Sequence, residues 1–482
     1  MKSEKIAQKG LPNALFVFIA TVPLLGWWFY GLFDLDEGFY GAVTAEMNRR
    51  GEWITPYYNG EPWFEKPILL YWFAKPSLML FGDMVGPRLP CILATVLLYA
   101  LVGWVANRRM APGVAALAIL AMGSSLLVVG AGRMMLTDPL LVLALSISFF
   151  AFWESLVGDV RWRMVSAAGL GFSVLAKGPV GILLFAPLVG WTYWREPELR
   201  PKFKGGWLAF TGILIAVIST WYVPAYLQNG EAFIQKFLIE QNLQRFTGGD
   251  AAHTVKNPLQ YLFFVPILIA GFFPWSLYLP GIVQRVRKGD SDAFERFLLT
   301  WAVIVFAFFT LSGAKLVHYI LPMGPPVTLL AAASLVRRAR WPVQNLLAAA
   351  FLWTWVIFVV ANTGFVLWYQ TSGQASAHAL ISKIKSEPNI VLYQIGRREA
   401  DPGTGTTNLR ETSLPSLLLY ANRTLPETDQ FQDLITMPKP LAVFTRNNRL
   451  SSADLRKLKT LGIQATRIGD FPGFVAYRLT HI

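Results

Sequence analysis

The chain has 482 residues, of which 54% are hydrophobic and 15% charged, with a net charge of +14 at pH 7. Soluble domains carry about 25% charged residues, and one bilayer crossing takes about 20 apolar residues. Because long apolar segments recur along the chain and the basic residues fall in short loops between them, the sequence predicts an α-helical polytopic membrane protein and excludes a nucleic-acid-binding one. The single cysteine, Cys91, excludes an intrachain disulfide.

The apolar segments predict about 11 crossings, or about 11–13 transmembrane helices if short segments are divided differently. The first segment is expected to be an uncleaved helix, since no small-residue cleavage pattern follows it. Residues 67–82 are short and interrupted by Lys75-Pro76, so we expect a helix at the outer interface; the alternative is a further crossing. The predicted segments are 11–33, 88–106, 112–130, 139–156, 164–176, 178–194, 207–227, 258–282, 295–312, 317–336 and 345–369.

The basic loops predict the orientation of these segments. Loops rich in lysine and arginine stay in the cytoplasm, so the N-terminus is expected there too. The basic loops are 107–109, 161–163, 195–204, 285–288 and 337–340. Four regions then face outward: the first outer loop 34–87, the loops 131–138 and 228–257, and the tail from about 371.

The tail, residues 371–482, differs in character from the membrane part, residues 1–370. Its alternating apolar residues predict short strands at 390–393, 417–421, 441–445, 465–468 and 473–478. A helix is predicted at 451–461, where Ser-Ser-Ala-Asp is typical of a helix start. The tail is therefore predicted to be a small, soluble, extracytoplasmic α/β domain, and it carries no recognisable catalytic motif.

The first outer loop contains the strongest candidates for chemistry. Its acids lie among tyrosine, tryptophan and phenylalanine instead of in a polar tract, which suggests that they fold onto the membrane surface. Asp36, at the exit of the first helix, is a candidate general base for an acceptor hydroxyl. Glu65 and Lys66 are adjacent: the lysine could neutralise a phosphate, and the glutamate could bind a metal or orient the lysine.

Other candidates follow in the remaining outer regions, each with a simpler structural alternative. Asp138 is either a second catalytic acid or a helix N-cap. Arg245 is a candidate phosphate ligand. His253 is either a surface residue or, with Glu65, a zinc ligand.

Lys315 and Tyr319 lie one helical turn apart near the predicted start of the segment 317–336. Their side chains could share one helix face, and the lysine could contact a phosphate there. The alternative is that both simply anchor the helix at the membrane interface.

A series of short motifs follows in order along the chain. The motifs are Asp36-Glu37, Gly51-Glu52-Trp53, Phe64-Glu65-Lys66-Pro67, Arg88-Leu89-Pro90, Thr137-Asp138-Pro139-Leu140, Leu175-Ala176-Lys177-Gly178-Pro179, Glu240-Gln241-Asn242-Leu243-Gln244-Arg245-Phe246 with His253, Pro274-Trp275-Ser276 and Tyr319-Ile320-Leu321-Pro322. In this order they resemble the bacterial lipid A 4-amino-4-deoxy-L-arabinose transferase family and the wider dolichyl-phosphate-mannose–protein mannosyltransferase-like group of the GT-C superfamily. The resemblance covers about residues 30–330; each motif is short, and their order makes the set specific.

The resemblance implies a GT-C-like membrane fold with juxtamembrane amphipathic helices, an extracytoplasmic C-terminal domain and a polyprenyl-phosphate sugar donor. It implies roles for individual positions: Asp36 as catalytic centre, Asp138 as a second acid, Lys66 and Tyr319 at the donor phosphate, and Glu65 with His253 at a divalent metal, zinc or magnesium. The chain departs from the family where Gly38-Phe39 follows Asp-Glu in place of Pro-Arg or Thr-Arg, and where Ile68 replaces the second proline of Lys-Pro-Pro.

We therefore predict a glycosyltransferase of the inner membrane, with its active site on the periplasmic face. It would transfer a sugar from undecaprenyl phosphate to lipid A, a glycan or a protein by inverting displacement. The alternative is a transporter or lipid-linked-sugar flippase, although such proteins place ionisable groups near the bilayer midplane. A third reading, a non-catalytic assembly partner, predicts tolerance of substitutions at Asp36 and Lys66.

Overall fold

A computed structural model gives the chain a large helical part followed by a small C-terminal sheet domain. The structure describes residues 13–34, 36–244, 258–338, 342–395, 398–400, 407–409, 414–447 and 449–482. Two predicted site residues, Arg245 and His253, lie outside these ranges.

Helices account for nearly all of the first part. Short 3-10 turns and one π-helix, Ile234–Gln244, join or extend them. The helices are Asn13–Thr21, Asp36–Arg50, Leu69–Val85, Leu89–Arg109, Val114–Gly123, Leu126–Gly132, Thr137–Val157, Trp162–Lys177, Val180–Arg195, Trp207–Asn229, Glu231–Phe233, Phe264–Gly271, Leu279–Lys288, Ala293–Leu311, Gly324–Arg338 and Val343–Thr371.

Six helical segments in the described ranges are long and apolar enough to cross a membrane, and eight if each of two bent pairs counts as one span. The predicted class, a polytopic helical membrane protein, is thus confirmed. Further predicted segments are helical but shorter, such as Trp162–Lys177 and Val180–Arg195. The six are Leu89–Arg109, Thr137–Val157, Trp207–Asn229, Ala293–Leu311, Val317–Arg338 and Val343–Thr371.

Three predicted segments are not single straight helices, and the prediction is wrong there. In the segment 11–33 the helix Asn13–Thr21 ends after nine residues and is followed by 3-10 turns at Val22–Leu24 and Trp27–Phe29. The segment 258–282 is divided between helical pieces that meet at 109°, around Pro274, which has no backbone N–H to continue a helix. The segment 112–130 bends by 61° at Ser124 and Ser125, whose hydroxyls donate to carbonyls four residues back. The bends meet, since Trp275 Nε1 donates to Ser124 Oγ at 3.1 Å.

Residues 67–82 fall largely in the helix Leu69–Val85, which exposes Phe73, Met79, Leu80 and Phe81. An apolar surface of this kind suits a membrane interface. The interfacial placement of this helix stays a prediction.

The tail contains a five-stranded mixed sheet whose strands, in spatial order, are Glu427–Thr428, Asn389–Tyr393, Leu441–Arg446, Phe474–His481 and Ile463–Phe471. The first three pair in parallel and the remaining neighbours pair antiparallel. The predicted helix is present as Ser452–Thr460, capped by a reciprocal Ser451–Asp454 pair. Strands β1 to β9 are Tyr57–Tyr58, Glu61–Pro62, Asn389–Tyr393, Arg398–Ala400, Thr407–Leu409, Glu427–Thr428, Leu441–Arg446, Ile463–Phe471 and Phe474–His481; the tail helices are Gln374–Ile384, Ser416–Ala421, Phe431–Thr436 and Ser452–Thr460.

One predicted strand, 417–421, is wrong: these residues form the helix Ser416–Ala421. A short apolar run that is buried on all sides has no periodicity to distinguish strand from helix. All six residues of this helix are buried, and Leu417 to Leu419 share one hydrophobic cluster with Leu32, Ala42 and Ala45 of the membrane part. The tail therefore packs directly on the helix that begins at Asp36.

Candidate active site

Asp36 begins the helix Asp36–Arg50 and is half-buried. Its carboxylate makes no hydrogen bond or ion pair with any residue in the described ranges. Tyr40 lies one turn further along the same helix. Burial, followed by the negative charge of Asp36, raises the pKa of Tyr40 well above its usual range, so this phenol stays neutral beside the acid. Among the residues that the structure describes, none occupies the Asp36 oxygens, which is the arrangement a substrate-binding acid requires.

The carboxylate of the neighbouring Glu37 is occupied by hydrogen bonds within the protein. Its side chain and that of Arg88 are completely buried and joined by two hydrogen bonds of 2.7 Å. Glu37 also accepts from the backbone N–H of Phe33 at 3.0 Å and of Met135 at 2.6 Å. These bonds fix the first turn of the helix and so fix the direction in which Asp36 points.

Asp138 lies in the first turn of the helix Thr137–Val157, but the N-cap position belongs to Leu136, so the N-cap alternative is wrong. Its buried carboxylate accepts from Lys177 Nζ at 2.6 Å and lies 3.6 Å from His318 Nε2. The Lys177 ammonium also stands 4.3 Å from the ring centre of Tyr319, a cation–π distance. Asp138 therefore holds a lysine and a histidine at the ends of two other helices.

These groups form one site. Lys66 interacts electrostatically with both Asp138 and His318, and Asp36 interacts electrostatically with His318. The structure thus brings together four of the predicted residues, Asp36, Lys66, Asp138 and Tyr319. It adds Lys177 and His318, which sequence reasoning did not select.

Lys315 has a different environment from the one predicted for it. Its ammonium donates to the backbone carbonyls of Phe309, Thr310 and Ser312 at 2.7–3.3 Å, where it caps the C-terminal end of the helix Ala293–Leu311. Burial lowers the pKa of Lys315. A contact from Lys315 to a donor phosphate stays a prediction.

The predicted metal site is described only in part, because Glu65 lies within the described ranges and His253 does not. Among the described residues, no three side chains of histidine, cysteine, aspartate or glutamate come close enough to share a metal ion. Zinc or magnesium binding by Glu65 and His253 stays a prediction.

Two cavities adjoin the cluster. One, of about 510 Å³, is almost wholly apolar and is lined by His318 together with Leu127, Ala131 and Trp368. A smaller one, of about 120 Å³, is lined by Lys177, Tyr319, Gln241 and Ser312. His318 therefore lines the larger cavity, whereas Lys177 and Tyr319 line the smaller one, whose wall also includes apolar side chains such as Leu183 and Phe309.

The two residues that sequence reasoning missed had a weak signal. Lys177 stands between apolar segments in Ala-Lys-Gly-Pro, and His318 is one of four histidines, next to Tyr319. Both lie at ends of predicted segments that face outward under the predicted orientation. A lysine in a tight turn between apolar segments was therefore the available clue.

Comparison with known proteins supports the resemblance seen in the motifs. Residues 65–223 match the family model of dolichyl-phosphate-mannose-protein mannosyltransferases. An undecaprenyl phosphate-alpha-4-amino-4-deoxy-L-arabinose arabinosyl transferase of Edwardsiella ictaluri is 32% identical over 344 residues, 69% of this chain and 60% of the relative. A second such transferase, of Pseudomonas fluorescens, is 31% identical over 322 residues, 64% of this chain and 53% of the relative. The matched region thus spans between half and two thirds of these relatives.

The fold agrees over a larger part of the chain. The crystal structure of ArnT from Cupriavidus metallidurans bound to undecaprenyl phosphate superposes with a TM-score of 0.78 at 19% identity, covering 96% of this chain and 97% of that one. At this identity the likeness concerns the fold. The GT-C-like fold and the resemblance to arabinosyl transferases, both predicted from the motifs, are confirmed.

Proposed function

We propose that this chain is a membrane enzyme that transfers a sugar from a polyprenyl-phosphate donor. Its sequence resemblance to undecaprenyl-phosphate arabinosyl transferases and its ArnT-like fold support this proposal. The donor lipid is undecaprenyl phosphate, and the sugar class is that of the relatives, 4-amino-4-deoxy-L-arabinose. The acceptor is lipid A, a glycan or a protein, and the resemblance to the lipid A transferase family favours lipid A. The N-terminus lies in the cytoplasm, and the first outer loop and C-terminal domain lie in the periplasm.

The observation that carries this proposal is the convergence of Asp36 with Lys66, Lys177 and His318 around Asp138. Inverting displacement at the anomeric carbon breaks the bond to the prenyl phosphate, on which negative charge grows. Cationic groups placed before the reaction stabilise such charge strongly in a site that excludes water. Lys66 and Lys177 supply that charge, and Asp138 holds Lys177 in place at 2.6 Å.

Asp36 acts on the acceptor side. Its half-buried carboxylate, unpaired within the described ranges, can take the proton of an acceptor hydroxyl. If the acceptor is a phosphate, no strong base is needed and Asp36 orients it. The apolar cavity beside His318 offers a place for the first isoprene units of the donor, since its lining residues are almost all apolar.

The transporter alternative is not favoured. The charged cluster lies at helix ends, with Asp138, Lys177 and His318 each within one turn of a helix terminus. A substrate pathway through the protein would place such groups near the middle of the spans.

The experiment is sugar transfer by purified protein from a panel of radiolabelled undecaprenyl-phosphate sugars to a membrane-lipid extract. Asp36→Asn is compared with wild type and with Asp83→Asn, a matched change of an exposed acid in the same outer loop. We expect the first variant to lose transfer to a hydroxyl acceptor, or to be only weakened if the acceptor is a phosphate, and the second to keep it. Full activity in Asp36→Asn would remove Asp36 from the mechanism. Movement of lipid across vesicles without any transfer would favour the transporter.

A further inference from the structure

The C-terminal domain contacts the peptide segment that carries Asp36. The backbone N–H of Ser416 donates to Asp34 Oδ1 at 2.8 Å, and the backbone N–H of Leu32 donates to the hydroxyl of Tyr420 at 2.8 Å. Asp34 and Leu32 precede Asp36 by two and four residues. The tail therefore holds the residues that precede Asp36, while Arg88 of the membrane part holds Glu37, the residue that follows it.

Behind Ser416 a buried polar chain leads back to the membrane part. Ser416 Oγ lies 2.7 Å from His378 Nε2, and His378 Nδ1 lies 2.8 Å from the hydroxyl of Tyr369. Burial lowers the pKa of His378 to about 3, so the ring is neutral at pH 7 and offers one donor and one acceptor nitrogen. This chain fixes the start of the helix Ser416–Ala421, from which the amide of Ser416 projects.

The backbone of the outer loop comes unusually close to these groups. A Cβ atom added to Gly38 would lie 2.9 Å from the Ser416 nitrogen and 2.6 Å from Asp34 Oδ1. A Cβ atom added to Gly31 would lie 2.7–2.8 Å from His378, Tyr369 and Tyr420. Only glycine allows this approach without displacement.

We propose that the C-terminal domain is a positioning element of the active site: His378 fixes Ser416, Ser416 holds Asp34, and Asp34 sets the turn from which Asp36 projects. Asp34, Ser416 and His378 are positioning residues, since none of them touches the predicted reacting groups. The proposal rests on the proposed function, because it assigns to the tail a part in that reaction.

The test compares three variants in the full-length protein. Asp34→Ala removes the acceptor of the Ser416 amide, whereas Asp34→Asn keeps an oxygen in the same place. Asn59→Ala is the matched control: it also breaks two hydrogen bonds between outer loop and tail, both to Leu425, at 2.9 and 3.0 Å, but away from Asp36.

We expect Asp34→Ala to lower kcat on the order of 100-fold with KM changed less than about threefold, since small misplacements of a reacting group cost that much. Asp34→Asn should recover most of the rate, and Asn59→Ala should keep it. An equal loss in Asn59→Ala would overturn the proposal, because the tail would then only support the fold. A wild-type kcat in Asp34→Ala would overturn it as well.

Hydrogen exchange provides a readout that does not depend on transfer. In Asp34→Ala the amides of residues 33–40 should exchange about tenfold faster than in Asn59→Ala, with the rest of the chain unchanged. If wild type transfers no sugar, the proposed function fails, but this comparison still decides the positioning. Unchanged protection of residues 33–40 in Asp34→Ala would refute it.

Discussion

Replacing Arg88 should show how much its buried ion pair with Glu37 contributes to the stability of the folded protein. In Arg88→Leu the Glu37 carboxylate stays buried without its partner, and the carbonyls of Trp27, Tyr30 and Gly31 lose donors that now lie at 2.8–3.0 Å. Removing one partner of a buried ion pair costs about 3–5 kcal/mol. The three orphaned carbonyls each add a smaller penalty where water cannot reach them.

The assay is the free energy of unfolding by denaturant titration in mild detergent micelles, followed by transfer activity. Arg161→Leu is the control, because its ion pair with Asp159 spans 4.0 Å and leaves 82% of the arginine side chain exposed, so it should change little. Adding Glu37→Gln to Arg88→Leu should recover part of the loss, since the amide removes the buried charge and still accepts from a backbone N–H. Equal effects of Arg88→Leu and Arg161→Leu would refute the reasoning.

Two further predictions concern the site and its pH dependence. Lys177→Met should lower transfer on the order of 100-fold, because it removes a cation that the proposed mechanism places at the leaving phosphate and breaks the 2.6 Å ion pair with Asp138. Steady-state kinetics beside Lys204→Met, a change of an exposed lysine, would check this, and wild-type kcat would contradict it. Burial raises the pKa of Asp34 from 3.8 to about 7. At a pH between these two values the Asp34 carboxyl therefore keeps its proton in the folded chain and has lost it in the unfolded chain. The contribution of Asp34 to stability therefore falls as pH rises toward 7, by up to about 1.4 kcal/mol per unit, and then levels off. The stability of Asp34→Asn relative to wild type should grow between pH 5 and 7; a difference that is constant with pH would count against the buried acid.

Much of the fold follows from local sequence patterns. Apolar length gave the helices, and Ser451 with Asp454 gave the start of the tail helix, because both signals act within one or two turns. The bends near Ser124 and Pro274 were missed because an apolar segment has the same composition whether it is straight or broken. The predicted strand at 417–421 failed because its residues are buried on every side, by the sheet domain and by the helix that begins at Asp36.

The site was predictable as a set of outward-facing acids and cations, but not as an arrangement. Asp36, Lys66, Asp138 and Tyr319 were selected from loop position and motif. Lys177 was passed over, since nothing in Ala-Lys-Gly-Pro indicates that its ammonium meets Asp138 across 39 residues of chain.

The sequence alone determined that this chain is a polytopic helical protein with chemistry at its outer loops, because hydrophobic length and charge are local properties that need no partner. Only the tertiary structure decided which of several acids is available. The carboxylate of Glu37 pairs with Arg88 and that of Asp138 with Lys177, and Asp34 Oδ1 accepts from the backbone N–H of Ser416. Asp36 has no such bond within the described ranges. The availability of a carboxylate depends on which side chains surround it, and here those come from positions 51, 39 and 382 residues away in the chain.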